Sequence, residues 1–264
     1  MPTLSNPEEY QFGDTGTLLN GDDSVLPFVD ITSITGLDNA PIRESTHDME
    51  GRDGGYVDSR FESIRSVQIE GTVYADPAAL DTYLDTLKAD FAPTSTNQPL
   101  YFKTDVEQRV VFGKSQGMNY TKDARRRLGI VDFQVTILCE DPRIYTDTLV
   151  TQTVTRSVGS LAIDNDGTRP TPAILTITGS ISNPTITHTQ SGTVFDFTGY
   201  TVASGQSLTI DLDNRIVLQN GVSKRSEMTV TGAWYLLGPG TNNFTFGGSG
   251  SSATLKVDLR AAWR

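Results

Sequence analysis

Apolar and polar residues alternate along most of this chain, which is the pattern of half-buried β-strands. The stretch 66–74 (Ser-Val-Gln-Ile-Glu-Gly-Thr-Val-Tyr) alternates throughout, and 130–138 (Ile-Val-Asp-Phe-Gln-Val-Thr-Ile-Leu) repeats the pattern with more β-formers. Shorter strands are predicted at 25–34, 100–103 and 108–112, and a polar strand over 144–156. One segment has a different period. Asp76 caps, Pro77 fits the first helical position, and Leu80, Tyr83, Leu84, Leu87 and Phe91 fall on one stripe, so a helix is predicted over 76–91, stopped by Pro93. Beyond residue 156 only strands are expected, at 173–179, 184–189, 193–197, 207–211, 215–218, 232–237, 243–246 and 253–260. Turn pairs such as Asp213-Asn214 and Asn220-Gly221 separate them. Short strands at this even spacing predict a sandwich or jelly roll.

Charge divides the 264 residues in two. The formal net charge is −11, but residues 1–150 hold 13 Lys+Arg against 25 Asp+Glu, whereas 151–264 hold 8 against 7. The predicted organisation is therefore an N-terminal β-sandwich-like domain with one helix (1–150) and a C-terminal β-sandwich (151–264), a mainly β chain. An acidic surface repels phosphate backbones, so specific nucleic-acid binding is not expected. No apolar run approaches the roughly 18 residues of a membrane span, and none is predicted. The N-terminal stretch MPTLSNPEEYQFG has neither a basic nor an apolar segment of the kind that directs secretion.

The residues for chemistry are few. Cys139 stands alone at the end of an apolar strand, and His47 and His188 lie in no catalytic motif. Paired carboxylates such as Asp22-Asp23 are ordinary in so acidic a chain. The segments Asp164-Asn165-Asp166-Gly167 and Asp211-Leu212-Asp213-Asn214 have the start of a calcium loop but no terminal acidic ligand. The run 247–252 (Gly-Gly-Ser-Gly-Ser-Ser) lacks the lysine of a phosphate loop and reads as a flexible loop, as does Asp53-Gly54-Gly55. No catalytic residue, cofactor or metal is expected. Two features bear on binding. Arg125-Arg126-Arg127 reads either as a solvated turn before a strand or as a subunit-interface anchor. Trp234-Tyr235 reads either as core packing or as a platform for sugar stacking.

An ordered set of stretches resembles the distal tail (Dit) proteins of long-tailed bacteriophages. In the second half these are Asn165-Asp-Gly-Thr-Arg-Pro-Thr-Pro172, Ser182-Asn-Pro184, Val217-Leu-Gln-Asn-Gly221, Trp234-Tyr-Leu-Leu-Gly-Pro-Gly-Thr-Asn242 and Phe244-Thr-Phe246. In the first half they are Ile42-Arg43, Gly54-Gly55, Arg65-Ser-Val-Gln-Ile-Glu-Gly71 and Cys139-Glu-Asp-Pro-Arg-Ile-Tyr145. The resemblance implies a C-terminal jelly roll like galectins and carbohydrate-binding modules. It also implies an N-terminal domain that forms a hexameric ring, a non-enzymatic hub of the virion. The implied partners are copies of itself, the tail tube protein, and tail-tip or receptor-binding proteins, with DNA passing through a central channel unbound. Assembly in the bacterial host cytoplasm and residence at the phage tail tip follow from the same resemblance. A glycan-binding surface module is the alternative reading, and a hydrolase with an unrecognised carboxylate pair a third.

Overall fold

The structure is a computed structural model that describes residues 1–21, 23–250 and 252–264. Asp22 of the Asp22-Asp23 pair and Ser251 of the glycine-serine run lie outside the described residues. The chain separates into two compact units, residues 1–147 (with Arg264) and 148–263. Among the described residues it is mainly β with one α-helix, as the alternating stretches and the one helical stripe predict.

In the first unit β1 (Tyr10–Phe12), β2 (Leu18–Leu19) and β3 (Phe28–Thr35) precede an excursion of four short strands. These are β4 (Ile42–Arg43), β5 (Thr46–Asp48), β6 (Gly55–Val57) and β7 (Phe61–Glu62). Then come β8 (Arg65–Tyr74), α1 (Leu80–Asp90), β9 (Gln98–Lys103), β10 (Gln108–Tyr120), β11 (Ile130–Cys139) and β12 (Ile144–Thr146). The strand order is β2-β1-β9-β10-β11-β8-β3, all antiparallel, with β12 also paired to β10. Within that order the long β10 divides between its two neighbours. Residues 108–113 pair with β9, and residues 114–120 pair with β11 across a bulge between Ser115 and Met118. Bulges bend strands, and this one lets a single strand pass between two layers. Ser115 locks the bend, donating from Oγ to the Phe91 carbonyl at 2.8 Å and accepting from the Gly117 amide at 3.0 Å.

Alternation puts Val67, Ile69, Val73, Val131, Val135 and Ile137 in the core, all buried. Each such side chain stabilises the fold by roughly 1.5–3 kcal/mol relative to exposure. The helix adds Leu80, Leu84 and Leu87 to that core, and Phe91 stacks on Phe12 with 5.5 Å between ring centroids. It begins four residues later than the capping pattern predicts. Asp76 instead closes a turn, its side chain accepting from the Ala78 amide at 2.9 Å and its carbonyl from the Ala79 amide.

The second unit is a two-sheet sandwich. One sheet runs β13 (Val150–Thr155), β24 (Thr254–Leu259), β15 (Ala173–Thr178), β19 (Ser207–Asp211), β20 (Ile216–Gln219), β21 (Val222–Ser223). The other runs β14 (Ser160–Asn165), β23 (Gly240–Ser249), β16 (Ile181–His188), β17 (Thr193–Asp196), β22 (Thr229–Thr231), with β18 (Thr201–Val202) on β16. Inward residues of both sheets, among them Leu175, Ile177, Leu255, Val257, Ile186, Phe195, Phe244 and Phe246, form one cluster. Three expectations need correction here. The expected strand over 144–156 is two strands, β12 and β13, and the division between units falls in the gap between them. Gly247, Gly248 and Ser249, expected in a flexible loop, extend β23 along β16. The segment 232–237 is not a strand. Gly232 (φ 102°) turns the chain away from β22, and only Leu237 makes a bridge, exchanging backbone hydrogen bonds with Thr171.

Candidate functional site

The first unit presents a polar sheet face with two incomplete edges. Register sets its rows. Asp30, Thr72 and Asp132 lie side by side across β3, β8 and β11. Ser33, Glu70, Gln134 and Asn119 form the next row, and Thr35, Gln68 and Thr136 another. Because side chains alternate, the strands whose other face is Val67, Ile69, Val131 and Val135 carry this hydrophilic face as a consequence of the same pattern. Within it Thr72 donates to Asp132 at 2.9 Å and Gln134 to Glu70 at 3.0 Å. The face carries the carboxylates Asp30, Glu70 and Asp132, with Arg125 bonded to Asp132 at its end. The Arg125 hydrogen bond, then that from Thr72, holds the Asp132 carboxyl below its usual range.

The edges differ. On β10, residues 114–120 have β11 on one side and no strand on the other among the described residues. On β3, the outer edge is partly plugged by Asn20, whose side chain accepts from the Ile31 amide and whose backbone amide donates to the Val29 carbonyl at 2.9 Å. Residues 33–35 beyond the plug have β8 alone. Unpaired edges of this kind are templates for pairing with another chain.

Arg125, Arg126 and Arg127 lie on a single 3-10 turn, Ala124–Leu128, between β10 and β11. Asp123 caps it, accepting from the Arg125 amide at 2.9 Å. Arg125 also pairs with the Asp123 carboxylate at 2.8 Å and with Asp132, and Arg126 pairs with Asp81 of α1. The Arg125 hydrogen bond is the largest influence lowering the Asp123 pKa. Arg127 is exposed, with no ion pair among the described residues, next to Leu128, which is 71% exposed.

Trp234 and Tyr235 sit on the irregular segment after β22. Trp234 packs 5.1 Å from Phe195, and the Arg225 guanidinium lies 5.5 Å from its ring centroid. Tyr235 stacks almost parallel on His188 at 4.3 Å, and its hydroxyl is buried, which raises its pKa. His188 bonds through Nδ1 to Ser191 at 2.9 Å and through Nε2 to Asn242 at 3.3 Å. Burial lowers its pKa, and the Asn242 bond offsets part of that.

The calcium-like segment has a structural job instead. Asn165 is fully buried. Its amide donates to the carbonyls of Arg169 (2.7 Å) and Leu237 (3.1 Å), and its oxygen accepts from the amides of Gly167 (3.1 Å) and Ala262 (3.4 Å). Asp164 accepts from Thr241 at 2.6 Å. Among the described residues no group of His, Cys, Asp and Glu is placed to hold a metal ion. Cys139 is buried, and desolvation pushes its thiol up to about 11. No helix of the described residues is long and apolar enough to cross a membrane.

One residue escapes sequence reasoning. Arg65 is fully buried at the start of β8, although arginine is almost never predicted inside. Its position directly before the alternating run is the only signal the sequence offers.

A scan for known families matches residues 166–263 to the siphovirus-type tail component, C-terminal domain. Among solved structures the chain is similar to SPP1 Dit (gp 19.1), described as a paradigm of the hub adsorption apparatus in Gram-positive infecting phages. The TM-score is 0.70 at 15% identity, covering 96% of this chain and 98% of that one. The phage P2 baseplate in its activated conformation with Ca matches with a TM-score of 0.53 at 11% identity, over 95% of this chain and 97% of that chain. The same baseplate with Sr gives 0.51 at 10% identity, over 95% and 98%. No curated protein matches this chain. Residues 166–263 thus match a siphovirus-type tail component domain, and the chain as a whole has the fold of SPP1 Dit. The distal tail (Dit) resemblance carried by the sequence is borne out by this family match and this fold.

Proposed function

We propose that the chain is a distal tail hub protein whose first unit closes into a six-copy ring. The single observation that carries this reading is the four-stranded sheet β10-β11-β8-β3, with one polar face and an incomplete strand at each side. Residues 114–120 of one copy pair with the β3 edge of the next, a head-to-tail contact that closes when its rotation divides a full turn. The face bearing Asp30, Glu70 and Asp132 then lines the channel, where fixed carboxylates keep DNA from adhering as it passes. One ring face meets the tail tube protein, and the other meets tail-tip or receptor-binding proteins. The role is structural, without catalysis, cofactor or membrane insertion, and assembly takes place in the host cytoplasm before incorporation at the tail tip. Arg125 and Arg126 serve this arrangement by holding the end of the sheet, whereas Arg127 is free for a neighbour.

Native mass measurement over a range of protein concentrations tests the ring. The expected species is six times 28.7 kDa. A strict monomer at every concentration overturns the reading, and millimolar affinity of such a monomer for a sugar turns it toward a glycan-binding module built on Trp234.

A further inference from the structure

The excursion between β3 and β8 is an arm without a partner. Strand β4 pairs with β7 and β5 with β6, and among the described residues neither pair joins another strand. From residue 41 to 61 every residue except Met49 is exposed. The arm nevertheless carries Ile42, Tyr56, Val57, Phe61 and Ile64, each 51–59% exposed. Ile42 lies opposite Glu62 and Phe61 opposite Arg43 in adjacent positions, so apolar groups point to both faces of the ribbon. A lone two-stranded ribbon is at best marginally stable in water, and one that is apolar on both faces is built to be covered.

Charge identifies what covers it. Residues 46–58 hold Asp48, Glu50, Asp53 and Asp58 against Arg52, a net of −3. The turn region 122–128 holds Lys122, Arg125, Arg126 and Arg127 against Asp123. Arg125 and Arg126 pair with Asp123, Asp132 and Asp81, which leaves the exposed Lys122 and Arg127 as cations facing outward in a unit that is otherwise strongly acidic. It also ends in the exposed Leu128. The two features lie at opposite ends of one sheet. The arm leaves beside Arg65, which pairs with Cys139, whereas the basic turn enters at Ile130, which pairs with Tyr74. Ten residues of strand separate them, about 30 Å. A second copy brings them together.

We infer that residues 41–64 are an assembly arm that seats on the basic turn, residues 122–128, of a second copy of this chain. The inference rests on the ring reading above and adds to it a second contact, made by side chains away from the strand edges. Arg127 and Leu128 are its receiving residues, and the acidic tip of the arm supplies the complementary charge.

Three variants test it, read by native mass and sedimentation at low and high salt. In the first, residues 46–57 are replaced by an Asn-Gly turn. The second is Arg127→Glu. The third adds Glu50→Arg and Asp53→Arg to Arg127→Glu. The first two are expected to raise the concentration at which the assembly half-dissociates by tenfold or more, and the third to recover most of that loss. Thermal unfolding of each variant, expected near the parent's midpoint, separates lost docking from lost folding. A six-copy species that persists unchanged in the shortened variant overturns the arm inference and leaves the ring reading standing. So does a charge exchange that restores nothing. A parent chain that never associates overturns both.

Discussion

The buried Arg65 donates from Nη1 to the carbonyl of Gly36 at 2.6 Å and from Nε to the carbonyl of Pro142 at 2.8 Å. Gly36 directly follows β3 with φ 88°, and a Cβ there would meet the Ser66 carbonyl at 1.9 Å, so only glycine fits. The two residues close the neck of the arm, and Pro142 ties that neck to the turn after β11. Arg65→Met keeps much of the volume but leaves two part-buried carbonyls without their charged donor. An unmade buried bond costs about 1–3 kcal/mol, and with both carbonyls only part-buried a loss of about 2 kcal/mol or more in total is expected in denaturant unfolding of the first unit. A change under about 0.5 kcal/mol, the scale of an ordinary surface substitution, would contradict the clamp.

His188 makes the second unit sensitive to acid. Burial lowers its pKa in the folded state, so below the ordinary histidine value of about 6.5 the unfolded chain takes up the proton first. Stability from this residue is therefore complete above about pH 6.5 and declines as pH falls toward the depressed folded value. Protonation also places a charge against the stacked Tyr235 ring in a buried site. Thermal midpoints measured between pH 5 and 7.5 should fall on the acid side in the parent. His188→Gln should flatten that slope. An unchanged slope in the variant would assign the acid sensitivity elsewhere.

Asn165 satisfies four backbone groups, and Asn165→Ala leaves all of them without that partner. The expected loss is about 3 kcal/mol or more. Asn165→Asp keeps the size but loses both donors and buries a charge, so it should be at least as damaging. Calcium or a chelator should shift the unfolding midpoint of neither parent nor variant. A midpoint that rises with calcium in the parent would return the segment to metal binding.

The alternating strands and the amphipathic helix were legible because burial on one face imposes a period, and β8, β11 and α1 show that period almost without error. The helix start was displaced because Asp76 and Pro77 serve a turn as well as they serve a cap. Segment 232–237 misled because Trp234, Tyr235 and Leu236 suit a strand, while Gly232 bends the chain and the rings pack on His188 and Phe195 instead. The arm left no periodic trace because neither of its faces is buried in a single copy. The polar face was invisible as a site for another reason. Asp30, Glu70 and Asp132 are far apart in sequence, and only the register of three strands sets them on one surface. Arg65 and Asn165 hold backbone carbonyls and amides, contacts that no side-chain pattern announces.

The carboxylate face also sets the final expectation. If Asp30 and Glu70 line a channel, reversing both shifts the net charge by +4 per copy, two negative charges becoming two positive ones, and changes the lumen from repelling to attracting a phosphate backbone. Asp132 is best left alone, because Arg125 and Thr72 depend on it. Both chosen residues are exposed, so Asp30→Lys with Glu70→Lys should leave folding and ring mass close to the parent. Virions carrying the double variant should release DNA more slowly, and the delay should shrink as salt rises, since attraction to DNA phosphates weakens steeply with ionic strength. Release at the parent's rate from particles containing an intact variant ring would show that this face does not line the path of the DNA.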